Sequence, residues 1–202
     1  MRSMRTNGTN NDMEDDIRRR VIWHDMGVAG SLPLQDGVCN YVVDGTQSLV
    51  SCVAWLEQYA VSVGGLDRLD ILCHGNGWYR DDDTSEDPAT VGGFGLCITG
   101  NYITLATVNC LEPLKGLVTT IVIYSCQAAR NSAGFTPNLL GNGRELMYRI
   151  GQHTGAYVLA SDYDQTYYND SYIEFRKWEG NLNGFDTDGS VTPWGLNDWP
   201  LT

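Results

Sequence analysis

The chain has 202 residues, 42% hydrophobic and 19% charged, enough for one well-buried core and short for two. Its formal net charge of −12 argues against nucleic-acid or anionic-membrane binding, both of which need clustered Lys and Arg, and it steers basic partners toward the protein. The six cysteines (Cys39, Cys52, Cys73, Cys97, Cys110 and Cys126) are scattered without a Cys-x-x-Cys spacing. Neither a zinc site nor a disulfide scaffold is indicated, so most read as small core hydrophobes in a reducing compartment.

Residues 1–17 are polar, rich in Asn, Thr and Asp, and read as a disordered arm; residues 18–202 read as a single domain. No signal-peptide apolar region or run of about 18 apolar residues occurs. The expected location is therefore cytoplasmic, or outside the cell by a route independent of a signal peptide. Arg18-Arg19-Arg20 reads as a solvated charge run before a first strand, Val21 to Asp25. Met26 to Asn40, with Gly27, Gly30, Pro33 and Gly37, has loop chemistry. Leu49, Val50, Val53, Trp55, Leu56, Tyr59 and Ala60 give a helical face within Thr46 to Val61, stopped by Gly64-Gly65. A strand through Leu69 to Leu72 then runs into Cys73, which faces the core, and His74.

The acidic stretch Asp81 to Pro88 is dense in oxygen ligands, and calcium is conceivable there. It lacks EF-hand spacing, so it reads as a solvated loop and no metal or cofactor is assigned. Gly93 to Ile98 and Tyr102 to Leu105 predict a β-hairpin through Thr99-Gly100-Asn101. A short helix is expected over Ala106 to Leu114, a strand over Thr120 to Tyr124, a helix over Asn142 to His153, and a strand over Ala156 to Ala160. The polar, aromatic stretch Ser161 to Asp170 follows. Tyr172 to Trp178 alternates like a strand with one wet face, and the tail reads as Gly-, Asp- and Trp-rich loops.

Two of these strands carry chemistry. Each is a β-branched run that stops at a reactive side chain followed by small residues: His74-Gly75-Asn76-Gly77 after one, Cys126-Gln127-Ala128-Ala129 after the other. Ligands in open α/β sheets bind beyond the carboxyl ends of the strands, so neighbouring strands would bring His74 and Cys126 to one rim. There the imidazole would lower the thiol pKa and carry the proton to a leaving amine. Gly75 leaves its amide open to an oxyanion. Asp162 and Asp164, just past the Ala156 strand, suit an Arg or Lys substrate side chain, and equally suit an exposed acidic turn. Trp78 and Tyr163 are candidate walls of the cleft, His24 is a further rim candidate, and His153 reads as a helix C-terminal cap.

These motifs resemble the caspase-like cysteine peptidases, the clan that includes legumains, separases, metacaspases and bacterial CHAT domains. His74 precedes Cys126 by 52 residues, similar to the spacing of about 50 in caspases. The order strand-His-Gly, hairpin, helix, strand-Tyr-x-Cys, helix, Thr-Gly-Ala-x-Val-x-Ala-Ser looks most like an uncharacterised caspase-like domain attached to large bacterial surface proteins. The likeness covers Leu66 to Ser161. Cys126-Gln127-Ala128-Ala129-Arg130 departs from the caspase Gln-Ala-Cys-x-Gly order, and Tyr124 stands where metacaspases carry an acid.

The resemblance implies a three-layer α/β sandwich with a mostly parallel sheet and a β-hairpin after the His strand. It implies a cysteine endopeptidase that acts on protein or peptide substrates through a His74-Cys126 dyad, with an oxyanion hole of the Gly75 and Cys126 amides. Two other readings stay open: a catalytically inactive binding or scaffolding module, and a thiol-dependent self-processing effector. The oligomeric state is open.

Overall fold

The computed structural model describes residues 19–28, 38–76, 95–130, 143–165 and 178–194. The expected arm, the acidic loop 81–88, Trp78 and most of the alternating stretch 172–178 lie outside them. The elements in chain order are β1 (Arg20–Asp25), β2 (Cys39–Val43), α1 (Leu49–Ser62), β3 (Leu66–Leu72), β4 (His74–Asn76), β5 (Gly95–Cys97), a 3-10 helix (Val108–Leu114), β6 (Val118–Tyr124), α2 (Gly143–Thr154), β7 (Tyr157–Ser161), β8 (Leu182–Phe185) and β9 (Val191–Trp194).

Seven strands form one sheet in the order β2-β1-β3-β6-β7-β8-β9. The first five run parallel, β8 pairs antiparallel with β7, and β9 pairs antiparallel with β8. The fold is thus α/β with a mostly parallel sheet, as the buried β-branched runs implied. β4 and β5 make a separate small antiparallel sheet that pairs His74 with Cys97.

Three expectations need correction. His74 does not end the long strand: that strand stops at Leu72, Cys73 follows, and His74 opens β4. The partner expected for 93–98 was Tyr102 to Leu105, but β5 pairs with β4 and keeps only a single bridge, Leu96 to Ile103. β8 and β9 fall in segments read as loops, and β2 begins in one, its residues past Asn40 having no element assigned. β2 is short and only its last residue is buried, and β8 carries Asn183 and Gly184, so neither shows the periodicity of a strand.

α1 starts where Ser48 accepts the Ser51 amide on its hydroxyl. It ends in a Schellman motif: the Gly65 amide donates to Ala60 and the Gly64 amide to Val61, with Gly64 at φ +77 where a side chain would be strained. The interior residues of α1, the 3-10 helix and α2 share one core with Trp23, Leu69, Ile71, Ile121, Ile123, Val158 and Ala160 of the sheet. Strand alternation sends Ile22, Leu72, Val122, Tyr124 and Leu159 into a second cluster with Trp178, Leu182 and Val28. Among the described residues, no helix belongs to that second cluster. All six cysteines are free; Cys52 and Cys73 are buried as core residues, whereas the other four are half-buried.

A charge sits under the second face. Asp70 is 1% exposed and receives Arg20 Nε at 2.7 Å and Arg68 Nε at 2.8 Å. Arg68 also donates to the Tyr124 hydroxyl at 2.6 Å, and Tyr124 stacks on Trp178 at 4.8 Å. Arg20 was expected to be solvated; its side chain is instead 20% exposed and draws on the buried carboxylate. Removing one partner of a buried pair strands the other. Asp70→Ala should therefore lower unfolding stability by about 3–5 kcal/mol, read from the urea midpoint at unchanged m value.

Candidate active site

The site is built by strand register. β1, β3 and β6 align His24 with Leu72 and Leu72 with Tyr124, and β6 and β7 align Ile123 with Ala160. Two residues beyond Leu72 and Tyr124 stand His74 and Cys126; counted along the same ranks, Met26 flanks them on one side and Tyr163 on the other. The carboxyl ends of four adjacent parallel strands thus deliver the candidate residues to one rim.

The closest approach is between backbones. A Cβ added to Gly75 would fall 1.9 Å from the Cys126 carbonyl oxygen and 2.7 Å from Ser125 Oγ, so the His74-Gly75 segment lies directly on Ser125-Cys126. Only glycine permits that contact. His74 is exposed, and its Nε2 lies 3.1 Å from the Gly27 carbonyl. A carbonyl only accepts, so the proton sits on Nε2 and Nδ1 of the neutral ring is left as the acceptor.

Cys126 is half-buried and its thiol faces the Gln165 carbonyl at 3.7 Å. His74 and Cys126 share the rim without a hydrogen bond to each other. The expected depression of the thiol pKa is also missing. Burial pushes it up, the Asp164 and Glu179 carboxylates push the same way, and hydrogen bonding with the backbone at Gln165 offsets only part. The resting side chain is a thiol.

Residue 127 follows in a strained conformation, Gln127 at φ 55. Its amide donates to Tyr163 O at 2.9 Å, its Nε2 to Asp164 Oδ1 at 2.9 Å, and its Oε1 accepts from Arg130 at 2.7 Å. These bonds hold the turn that presents Cys126. They also separate the two candidate carboxylates. Asp162 spends both oxygens on Asn181, accepting its amide at 2.8 Å and its Nδ2 at 2.9 Å, and so ties β7 to the β8 approach. Asp164 is exposed and close enough to Cys126 to raise its pKa. Tyr163 is 61% exposed beside them, and Met26 is 64% exposed on the far side of His74.

Sequence reasoning missed Gly27, Gln127, Gln165 and Glu179. Gly27 carried a weak signal as a glycine just past a strand end; Gln127 and Gln165 act through turn and backbone geometry and Glu179 through a charge the fold brings near the thiol, none of which a residue pattern announces. The remaining histidines stand apart. His153 stands in the last turn of α2, where a C-terminal cap was expected, and joins that helix to the 3-10 helix through Glu112 at 3.1 Å. His24 is buried behind the rim, 5% exposed, with Nε2 lacking a hydrogen-bond partner among the described residues. Among the described residues no group of His, Cys, Asp and Glu could hold a metal ion, and no helix is long and apolar enough to cross a membrane.

Comparison with protein-family models, curated proteins and solved structures finds no match to this chain.

Two measurements test this geometry. Gly75→Ala should displace β4 from Cys126, costing about 1–3 kcal/mol and slowing any selective modification of Cys126; calorimetry and intact-mass labelling read both. For His24, burial lowers the pKa more strongly than Asp25 and the Val28 backbone raise it. The unfolded chain then takes up the proton first, so stability falls as pH drops through about 6.5, the ordinary histidine value. Urea midpoints should decline more between pH 7.5 and pH 5 in the wild type than in His24→Gln.

Proposed function

We propose that the protein is a caspase-like cysteine endopeptidase with His74 and Cys126 as its dyad. The observation that carries the reading is the seating of Gly75 on the Cys126 carbonyl, which keeps imidazole and thiol on one rim. Cys126 Sγ attacks the scissile carbonyl while its proton passes to His74 Nδ1. The imidazolium then protonates the leaving amine, and water hydrolyses the acyl-enzyme with His74 as base. The amides of Gly75 and Cys126 are the candidate oxyanion donors, each worth about 2.7–4 kcal/mol in such sites.

The thiol is not activated at rest, which fits a site that engages on substrate binding. A basic side chain preceding the scissile bond would sit against Asp164 and oppose the carboxylate field that adds to burial in keeping the thiol protonated. Apo dyads are often loosely aligned and tighten in the Michaelis complex. A second reading, an inactive binding module, draws on a different observation: the thiol is engaged by Gln165 and no hydrogen bond links it to His74.

A limiting dose of peptidyl acyloxymethyl ketones carrying Arg, Lys or Asp next to the warhead separates the two, read by intact mass. The peptidase reading expects single-site labelling that is lost in Cys126→Ala, slowed about a hundredfold or more in His74→Ala, and fastest with Arg or Lys until Asp164→Asn removes the preference. Slow labelling spread over several cysteines and indifferent to both substitutions establishes the binding module instead.

A further inference from the structure

The turn after β1 is pinned by one residue. The Asp25 carbonyl accepts the Val28 amide at 3.0 Å, and Asp25 Oδ1 accepts the Gly27 amide at 2.9 Å. Met26 is fixed separately, its amide donating to Val43 of β2 at 2.9 Å. A peptide unit is planar, so fixing its N–H fixes the direction of its carbonyl. The unit whose N–H belongs to Val28 has the Gly27 carbonyl at its other end, and that carbonyl meets His74 Nε2 at 3.1 Å. Asp25 thus holds two successive peptide planes, the second of which grips the imidazole.

We propose that Asp25 is a positioning residue for His74: its carboxylate and carbonyl close the turn that aims the Gly27 carbonyl at Nε2–H and leave Nδ1 as the acceptor for the thiol proton of Cys126. The proposal rests on the dyad reading above. The thiol proton moves to Nδ1, the sulfur lone pair forms the carbon–sulfur bond, and Nδ1–H goes on to the leaving amine, while the Nε2 proton stays on Nε2, donated to the Gly27 carbonyl throughout. An imidazole so oriented meets its partner without a search over ring rotations. Because Asp25 acts through a hydrogen bond, Asn at this position keeps the acceptor for the Gly27 amide, whereas Ala does not.

The test uses the full chain and an acyloxymethyl ketone with Arg next to the warhead, comparing wild type, Asp25→Ala, Asp25→Asn and His74→Ala. The maximal inactivation rate and the inhibitor concentration at half-maximal rate are read separately, and a thermal melt accompanies each variant. Asp25→Ala is expected to lose roughly tenfold in maximal rate, the scale of one charge-assisted hydrogen bond, at unchanged half-maximal concentration. Asp25→Asn should recover to within about twofold of wild type, a rescue that general destabilisation would not produce. An Asp25→Ala rate equal to wild type, a loss confined to the half-maximal concentration, or Asp25→Asn as slow as Asp25→Ala overturns the proposal while His74→Ala remains slow. If wild-type labelling is unselective or indifferent to His74→Ala, the dyad reading itself fails, and the role of Asp25 with it.

Discussion

Parallel pairing of β1, β3, β6 and β7 is the constraint from which the rest of the molecule follows. Parallel strands bond in slanted, evenly spaced ladders, so a register fixed at one residue is fixed along the strand. With Leu72 level with Tyr124, the residues two steps beyond must leave the sheet together, and those are His74 and Cys126. A slip by one residue would turn every core side chain to the wrong face, including Ile71 and Ile123. The hydrophobic cores on the two faces therefore guard the alignment of the candidate site.

Beyond the sheet, the rim is assembled by backbone more than by side chains. Gly75 lies on Cys126, the Gly27 carbonyl takes His74, the Gln165 carbonyl takes the thiol, and Gln127 bonds Tyr163 through its amide. A left-handed conformation at a non-glycine residue is costly, of the order of 1 kcal/mol or more. Gln127 is held there by four hydrogen bonds that involve both its backbone and its side chain. The Gln165 side chain and the Ser161 hydroxyl both donate to the Glu179 carbonyl, and Asp162 clamps Asn181. The segment bearing Asp164 is thereby fixed beside the thiol, and its charge opposes ionisation of Cys126.

The opposite sheet face is joined to the site through Tyr124. Its ring stacks on Trp178 and its hydroxyl accepts from Arg68, which pairs with buried Asp70, while its backbone leads in two steps to Cys126. Two residues before Cys126, this chain has an aromatic residue in a charge network. Burial and the nearby Asp70 carboxylate keep the Tyr124 phenol protonated. The ring packs on Trp178 and lends the site no charge.

Periodicity and residue type alone determined the parallel strands β1, β3, β6 and β7, helices α1 and α2, and the candidacy of His74 and Cys126. These are local signals: β-branched runs long enough to be buried, helical spacing closed by Gly64-Gly65, and a reactive side chain at a strand end. The edge strands β2 and β9 gave no such signal because strands there are half-solvated and lack an apolar run, as the exposed Val191 and Val42 illustrate. The pairing of β4 with β5 is a contact between segments about twenty residues apart, and sequence spacing does not choose between it and the nearer partner at 102–105. Only the tertiary structure decided which acid meets the thiol and which ties down a loop, since Asp162 and Asp164 are chemically alike and differ in their neighbours. It also decided the protonation of the thiol and the orientation of His74. Those depend on burial and on carbonyl directions set by distant segments, which chain order does not encode locally.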